Sequence, residues 1–214
     1  MIPEGLCSIF DWTGGVPRGT IVALMHDDAA LVRTTAQDAS RVFTALAGMA
    51  HDIARAIGAI RATLDGGGTV LTCGNGGSAA EALHLSEELI GRYKAERPPY
   101  RAGCLASDPT ALTCIANDYG FDNVFSRQLE GLARRGDCLV ALSTSGNSEN
   151  VRRALEKARE MSVTTIGLLG KSGGPCKDMC DHALVMPSDA TERIQEGHLL
   201  VIHQILEALE SASQ

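Results

Sequence analysis

Apolar positions along the chain fall on two periods. From about Asp27 to Leu64, Val42, Leu46, Ile53, Ile57, Ile60 and Leu64 recur at helical spacing in an Ala-rich text. This predicts two helices broken near Gly48–His51, the second stopped by DGGG at 65–68. Beyond that point short apolar runs alternate with helical patterns. TVLTCG (69–74), DCLVALS (137–143), VTTIGLLG (163–170) and HALVMP (182–187) read as strands, and AGCLA (102–106) as a short one. SAAEALHLSEELIGRY (78–93), SENVRRALEKAREM (148–161) and ATERIQEGHLLVIHQILEALE (190–210) read as helices. DPTALTCIANDYG and FDNVFSRQLEGLA supply further helical material between the second and third strands. Strands alternating with helices imply an α/β fold with a parallel sheet covered on both faces.

Residues 1–25 break this pattern. They are rich in Gly and Pro and hold the only tryptophan, so they read as an appended N-terminal arm. The domain proper is assigned to residues 26–214.

Composition narrows the class. A chain of 214 residues with 44% hydrophobic content can bury a substantial core. Aromatics are only 4%, so that core consists mainly of Ala, Leu, Ile and Val. A formal charge of −7 gives no basic footprint for nucleic acid or an anionic membrane. An anionic substrate then needs local help from backbone dipoles. The seven cysteines include no C-x-x-C pair, so neither a zinc knuckle nor a disulfide framework is signalled. They read as reduced thiols of a cytoplasmic protein. The amino terminus lacks a basic segment followed by a long apolar one, and no apolar run approaches the ~20 residues of a membrane span.

Two strand-to-helix turns stand out. In parallel sheets ligands bind beyond the carboxyl ends of the strands. There CGNGGSAAE (73–81) offers glycines whose N–H groups can approach a ligand, and STSGNSEN (143–150) offers a cluster of hydroxyls. Asn147 or Ser148 is the expected N-cap of the following helix. Each turn alone is equally well a tight connection with a capped helix. Together they favour a phosphosugar site of N–H groups, hydroxyls and helix dipoles. GNGGS is neither a dinucleotide fingerprint, since Ala79 holds the third glycine position, nor a Walker loop, since it lacks the lysine.

Candidate metal ligands follow. His84 and Glu88 are spaced i, i+4 on one helical face, whereas Glu87 points elsewhere and reads as solvated. Such a pair alone is more often a hydrogen-bonded surface pair. The final helix adds Gln195, His198 and His203 beside Leu199, Val201 and Ile202. Polar groups on that apolar stripe are costly to bury without a partner, and a metal would satisfy them.

CGNGGSAAEALHLSEELIGRY, LTCIANDYGFDNVFSRQL, LSTSGNSENV and ERIQEGHLLVIHQI, in this order, resemble the bacterial phosphoheptose isomerases of the sugar-isomerase (SIS) superfamily. The resemblance runs from about residue 25 to the carboxyl end. H-x-x-x-E with Q-x7-H is its most specific part. It implies a three-layer sandwich around a mainly parallel, flavodoxin-like five-stranded sheet, preceded by N-terminal helices. It also implies isomerisation of sedoheptulose 7-phosphate to D-glycero-D-manno-heptose 7-phosphate, the first step toward bacterial heptose for lipopolysaccharide. A homotetramer with interfacial sites and one zinc per subunit is the implied assembly. The implied zinc ligands are His84, Glu88, Gln195 and His203; the implied base and acid are Glu88 and His203. Substrate contacts carry over to Asn75, Gly76, Gly77, Ser78, Glu88, Arg92, Asn117, Asp118, Ser143, Thr144, Ser145, Ser148 and Gln195. A different class shares the fold: non-catalytic binding modules of the DnaA initiator-associating type. The joint presence of all four ligands and Asp118 favours the enzyme.

Helix geometry adds a constraint. Gln195 and His203 lie eight residues apart, about 12 Å along a continuous helix. Metal bonds of ~2 Å do not let both reach one ion from that distance. Either the helix is irregular at Gln195 or the two ligands come from different subunits, and the second agrees with the interfacial sites of the resembling family.

Overall fold

A computed structural model describes the backbone of residues 18–211 and the side chains of residues 27–211. The chain forms two compact units, one ending at Ser40 and one running from Arg41 onward. Helix α1 spans Arg18–Leu46, so it begins inside the segment assigned to the arm; residues 1–17 lie outside the described residues. In the first unit Leu31 and Val32 are exposed, and the Thr34 and Thr35 hydroxyls donate back to carbonyls one turn earlier.

The second unit opens with the end of α1, a 3-10 turn at Ala47–Met49 and helix α2 over Ala50–Asp65. This break falls at the predicted Gly48–His51 region. Five strands follow: β1 (Val70–Gly74), β2 (Ala102–Cys104), β3 (Cys138–Ser143), β4 (Thr164–Leu169) and β5 (His182–Val185). Between and after them come α3 (Gly77–Ile90), α4 (Pro109–Tyr119), α5 (Ser126–Leu132), α6 (Glu149–Glu160), α7 (Gly174–Lys177) and α8 (Thr191–Ser211). The one-turn α7 was not visible in the pattern, because four residues carry no helical period.

The sheet is parallel throughout, in the order β2-β1-β3-β4-β5. Side-chain alternation along β3 divides the core. Cys138, Val140 and Leu142 pack with Ile60, Leu85, Leu89, Ile202 and Ile205 on the side of α2, α3 and α8. Leu139 and Ala141 face Phe125, Leu129, Val151 and Leu155 on the side of α5 and α6. Both faces are buried, which explains why the strands read as continuous apolar runs. The result is the expected three-layer sandwich.

Strand order reverses between β1 and β3, since β2 lies on one side of β1 and β3–β5 on the other. Crevices at such a switch point, outside the carboxyl ends of the strands, are where open α/β sheets bind ligands. The loops after β1 and β3 are the two singled out in the sequence. Among the described residues no helix is long and apolar enough to cross a membrane. Cys73, Cys104, Cys138 and Cys176 are buried free thiols. Burial pushes Cys176 up to about 11 and Cys180 to about 12, so neither is a thiolate at neutral pH.

Candidate functional site

The loop after β3 is built to hold hydroxyls in place. Ser143 is buried at the strand end, and its Oγ accepts the Gly146 N–H at 3.1 Å. Gly146 has φ +65°, and a Cβ there would lie 1.9 Å from the Gly173 carbonyl oxygen, so only glycine closes this turn. Ser148 is the N-cap residue of α6, as one of the two predicted candidates, but its hydroxyl makes no capping bond. It sits instead 3.4 Å from the Ser143 hydroxyl. Ser145 Oγ accepts the Asn147 N–H at 3.2 Å. The hydroxyls of Ser143, Ser145 and Ser148 thus gather at the start of a 12-residue helix whose dipole favours an anion.

The loop after β1 meets it. Gly76, with φ +55°, is the N-cap of α3, and Gly77 is its first residue. Asn75 pairs reciprocally with Asn150, each amide donating to the other at 2.9 Å. Asn150 is buried and also accepts the Val151 N–H. Sequence reasoning missed Asn150. It lies in the first turn of α6, directly after the hydroxyl-rich loop, and nothing in the sequence marks its pairing with Asn75. Ser78 is buried in the first turn of α3, whereas Arg92 is exposed beyond its end. Asn117 and Asp118 are exposed at the end of α4, where Asn117 Nδ2 donates to Asp118 Oδ1 at 2.7 Å. No hydrogen bond among the described residues joins these two to the cradle.

Helices α3 and α8 run side by side in the same sense, which three pairings establish. Gln195 lies against Gly77, whose added Cβ would fall 2.1 Å from the Gln195 Nε2. One turn on, His198 Nδ1 lies 3.7 Å from Glu81 Oε2. Two turns on, His84 Nε2 and His203 Nε2 face each other at 3.2 Å. His198 is fully buried, and its Nε2 donates to the Leu169 carbonyl at 3.2 Å. The backbone of β4 thus meets one ring nitrogen of His198, while its buried Nδ1 makes no hydrogen bond among the described residues.

The half-buried end of this seam has the donor chemistry of a cation site. His84, Glu87 and Glu88 bring ligand atoms within 4.8 Å of one another, and the His203 imidazole lies beside them. Glu87 is exposed, as expected, but is not a bystander: its Oε1 accepts from His84 Nδ1 at 3.2 Å. With Nδ1–H donated there, the Nε2 lone pair of His84 points at His203. Burial first, and then His84, hold the His203 pKa below the ordinary histidine value, against the opposing pull of Glu88. Two imidazoles and flanking carboxylates make a nitrogen–oxygen donor set that suits zinc. Gln195 is not part of it. α8 is one continuous helix from Thr191 to Ser211, so an irregularity at Gln195 is removed as an explanation.

Two loops at the switch point, one a hydroxyl cradle, define a sugar-phosphate domain. The chain belongs to the SIS domain family, whose model matches residues 36–170. The phosphoheptose isomerase of Akkermansia muciniphila is 50% identical over 168 residues, 78% of this chain and 89% of that one. Among solved structures, the phosphoheptose isomerase of Neisseria gonorrhoeae superposes with a TM-score of 0.79 at 38% identity, covering 88% of this chain and 99% of that one. That of Francisella tularensis gives 0.80 at 34% identity, covering 87% and 98%. Within the SIS domain family this chain belongs to the phosphoheptose isomerases.

Proposed function

We propose that the protein interconverts sedoheptulose 7-phosphate and D-glycero-D-manno-heptose 7-phosphate, in the cytoplasm, as the entry step to bacterial heptose. The observation that carries this reading is the pairing of a hydroxyl cradle after β3 with a histidine–carboxylate seam on the helix that follows β1. The cradle takes the phosphate through Ser143, Ser145 and Ser148. Thr144 and the Gly76–Gly77 turn line the approach, and Asn75, braced by Asn150, contacts the sugar.

The reaction moves a proton between adjacent carbons through a cis-enediol. Glu88 takes the proton from the hydroxymethyl carbon next to the ketone, while His203 gives a proton to the ketone oxygen. The proton held by Glu88 is then delivered to the former carbonyl carbon, and His203 recovers its own from the terminal hydroxyl. Asn117, Asp118 and Arg92 are assigned to orienting sugar hydroxyls in the assembled protein. A zinc held by His84, Glu88 and His203 would polarise the carbonyl oxygen and stabilise its developing charge. Glu88 and His203 would each serve both as zinc ligand and in proton transfer.

Gln195 completes the ligand set from a neighbouring subunit of a homotetramer. Its separation from His84 within the chain supports this, as do the exposed Leu83, Ile90 and Leu199 on the two seam helices. Turnover of sedoheptulose 7-phosphate by chelator-free protein, with elemental analysis for zinc, tests the whole reading. Metal-bearing protein without turnover would reassign it to a non-catalytic sugar-phosphate binder.

A further inference from the structure

The loop leaving α3 ends against the histidine pair. The Tyr93 ring stacks on the His203 imidazole with centroids 5.7 Å apart and planes 21° from parallel. This loop has no regular secondary structure, so its backbone donors need other partners. One side chain supplies three of them. Glu210 accepts from Tyr93 N at 2.9 Å and from Lys94 N and Ala95 N at 2.8 Å. Glu210 lies seven residues after His203, two turns on along the same face of α8.

The carboxylate is buried beside an equally buried cation. Arg97 Nε lies 3.4 Å from Glu210 Oε1, with side-chain exposures of 5% and 6%. The guanidinium also donates to the Glu88 carbonyl at 2.7 Å and the Leu89 carbonyl at 3.0 Å, closing the end of α3. α3 ends at Ile90, short of Tyr93, because the backbone turns out of the helix at Gly91, its C-cap residue. One ion pair therefore ties three pieces together: the end of the helix carrying His84 and Glu88, the loop carrying Tyr93, and the helix carrying His203.

A buried ion pair is weak evidence of stabilisation, because desolvation offsets its attraction. Its connections here point to geometry instead. We propose that Glu210 and Arg97 form a positioning latch for the zinc-binding pair, with the Tyr93 ring fixing the tilt of His203. Glu210 and Tyr93 are assigned as positioning residues that act through His203. The inference rests on the zinc site of the proposed function.

The test uses the full chain with Tyr93→Ala, Tyr93→Phe, Glu210→Gln and Glu210→Asp. Zinc affinity is read by chelator competition, and kcat and KM for sedoheptulose 7-phosphate are read separately. Tyr93→Ala and Glu210→Gln are expected to weaken zinc binding and to lower kcat by roughly tenfold or more, with KM little changed. Tyr93→Phe, which keeps the ring, recovers wild-type values, and Glu210→Asp recovers part. Wild-type zinc affinity in Tyr93→Ala, or a Tyr93→Phe as poor as Tyr93→Ala, overturns the latch. If Glu210→Gln loses its helical circular dichroism, the Tyr93 pair decides alone. A wild-type protein that binds zinc but does not turn over the sugar defeats the isomerase reading, while the zinc affinities still decide on the latch. A wild type that binds no zinc defeats the latch, whether or not it turns over the sugar.

Discussion

The cradle after β1 and β3 and the histidine seam between α3 and α8 share elements yet are built differently. The cradle is local: its hydroxyls lie within six residues, its turn is fixed by Gly146, and its brace is a single amide pair. The seam draws on residues more than a hundred positions apart, and its predicted fourth ligand lies two helical turns away beside Gly77. On the proposed function, the site that grips an anion is made mainly from neighbouring residues of one turn, whereas the site that holds charge and moves protons is made where helices meet. The first depends on turn chemistry and the second on packing and assembly.

The largest effect is expected at the seam. His84→Ala should remove zinc and lower turnover by roughly 100-fold or more, while phosphate-sugar binding by calorimetry persists. Loss of sugar binding in that variant would merge the two regions into one. Gly146→Ala comes next: the positive φ and the Gly173 carbonyl leave no room for a methyl group. It should destabilise the protein by at least about 1 kcal/mol and raise KM, with zinc content unchanged. Denaturant titration with elemental analysis would separate these outcomes. Ser145→Ala should be milder, weakening binding by roughly 0.5–1.5 kcal/mol. An unchanged KM there would move the phosphate elsewhere.

The smallest effect concerns pH. Burial pushes the Glu210 carboxyl up, but three backbone N–H groups and Arg97 outweigh it and hold the pKa below the ordinary value. A depressed folded-state pKa gives stability that is complete above the unfolded value of about 4.3 and lost as pH falls through the folded one. The stability difference between wild type and Glu210→Gln should therefore be constant near neutrality and shrink in acid below about pH 4. Urea midpoints across that range measure it; a gap that widens in acid would contradict the sign.

Much of this was legible in the sequence. The five strands, the break near Gly48 and both loops follow from period and turn residues, because each is specified by neighbouring positions. His84 and Glu88 were legible for the same reason, being one turn apart. What was hidden depends on partners distant in the chain. Nothing near His198 signals that its Nε2 meets a β4 carbonyl, and nothing near Glu210 signals the loop at 93–95. Glu87 looked solvated because exposure says nothing of its bond to His84. The early end of α3 had a local signal in Gly91, its C-cap residue, whereas the carbonyl cap by Arg97 comes from beyond the helix.

The central claim is that a complete seam needs Gln195 from a second copy. Mixing inactive Gln195→Ala chains with inactive His84→Ala chains and reassociating them tests it most directly. Each mixed pair holds one site with every ligand wild type, so random pairing should return about a quarter of wild-type activity and zinc content. Mixed oligomers, demonstrated by native mass spectrometry, that stay inactive and metal-free would contradict the shared site.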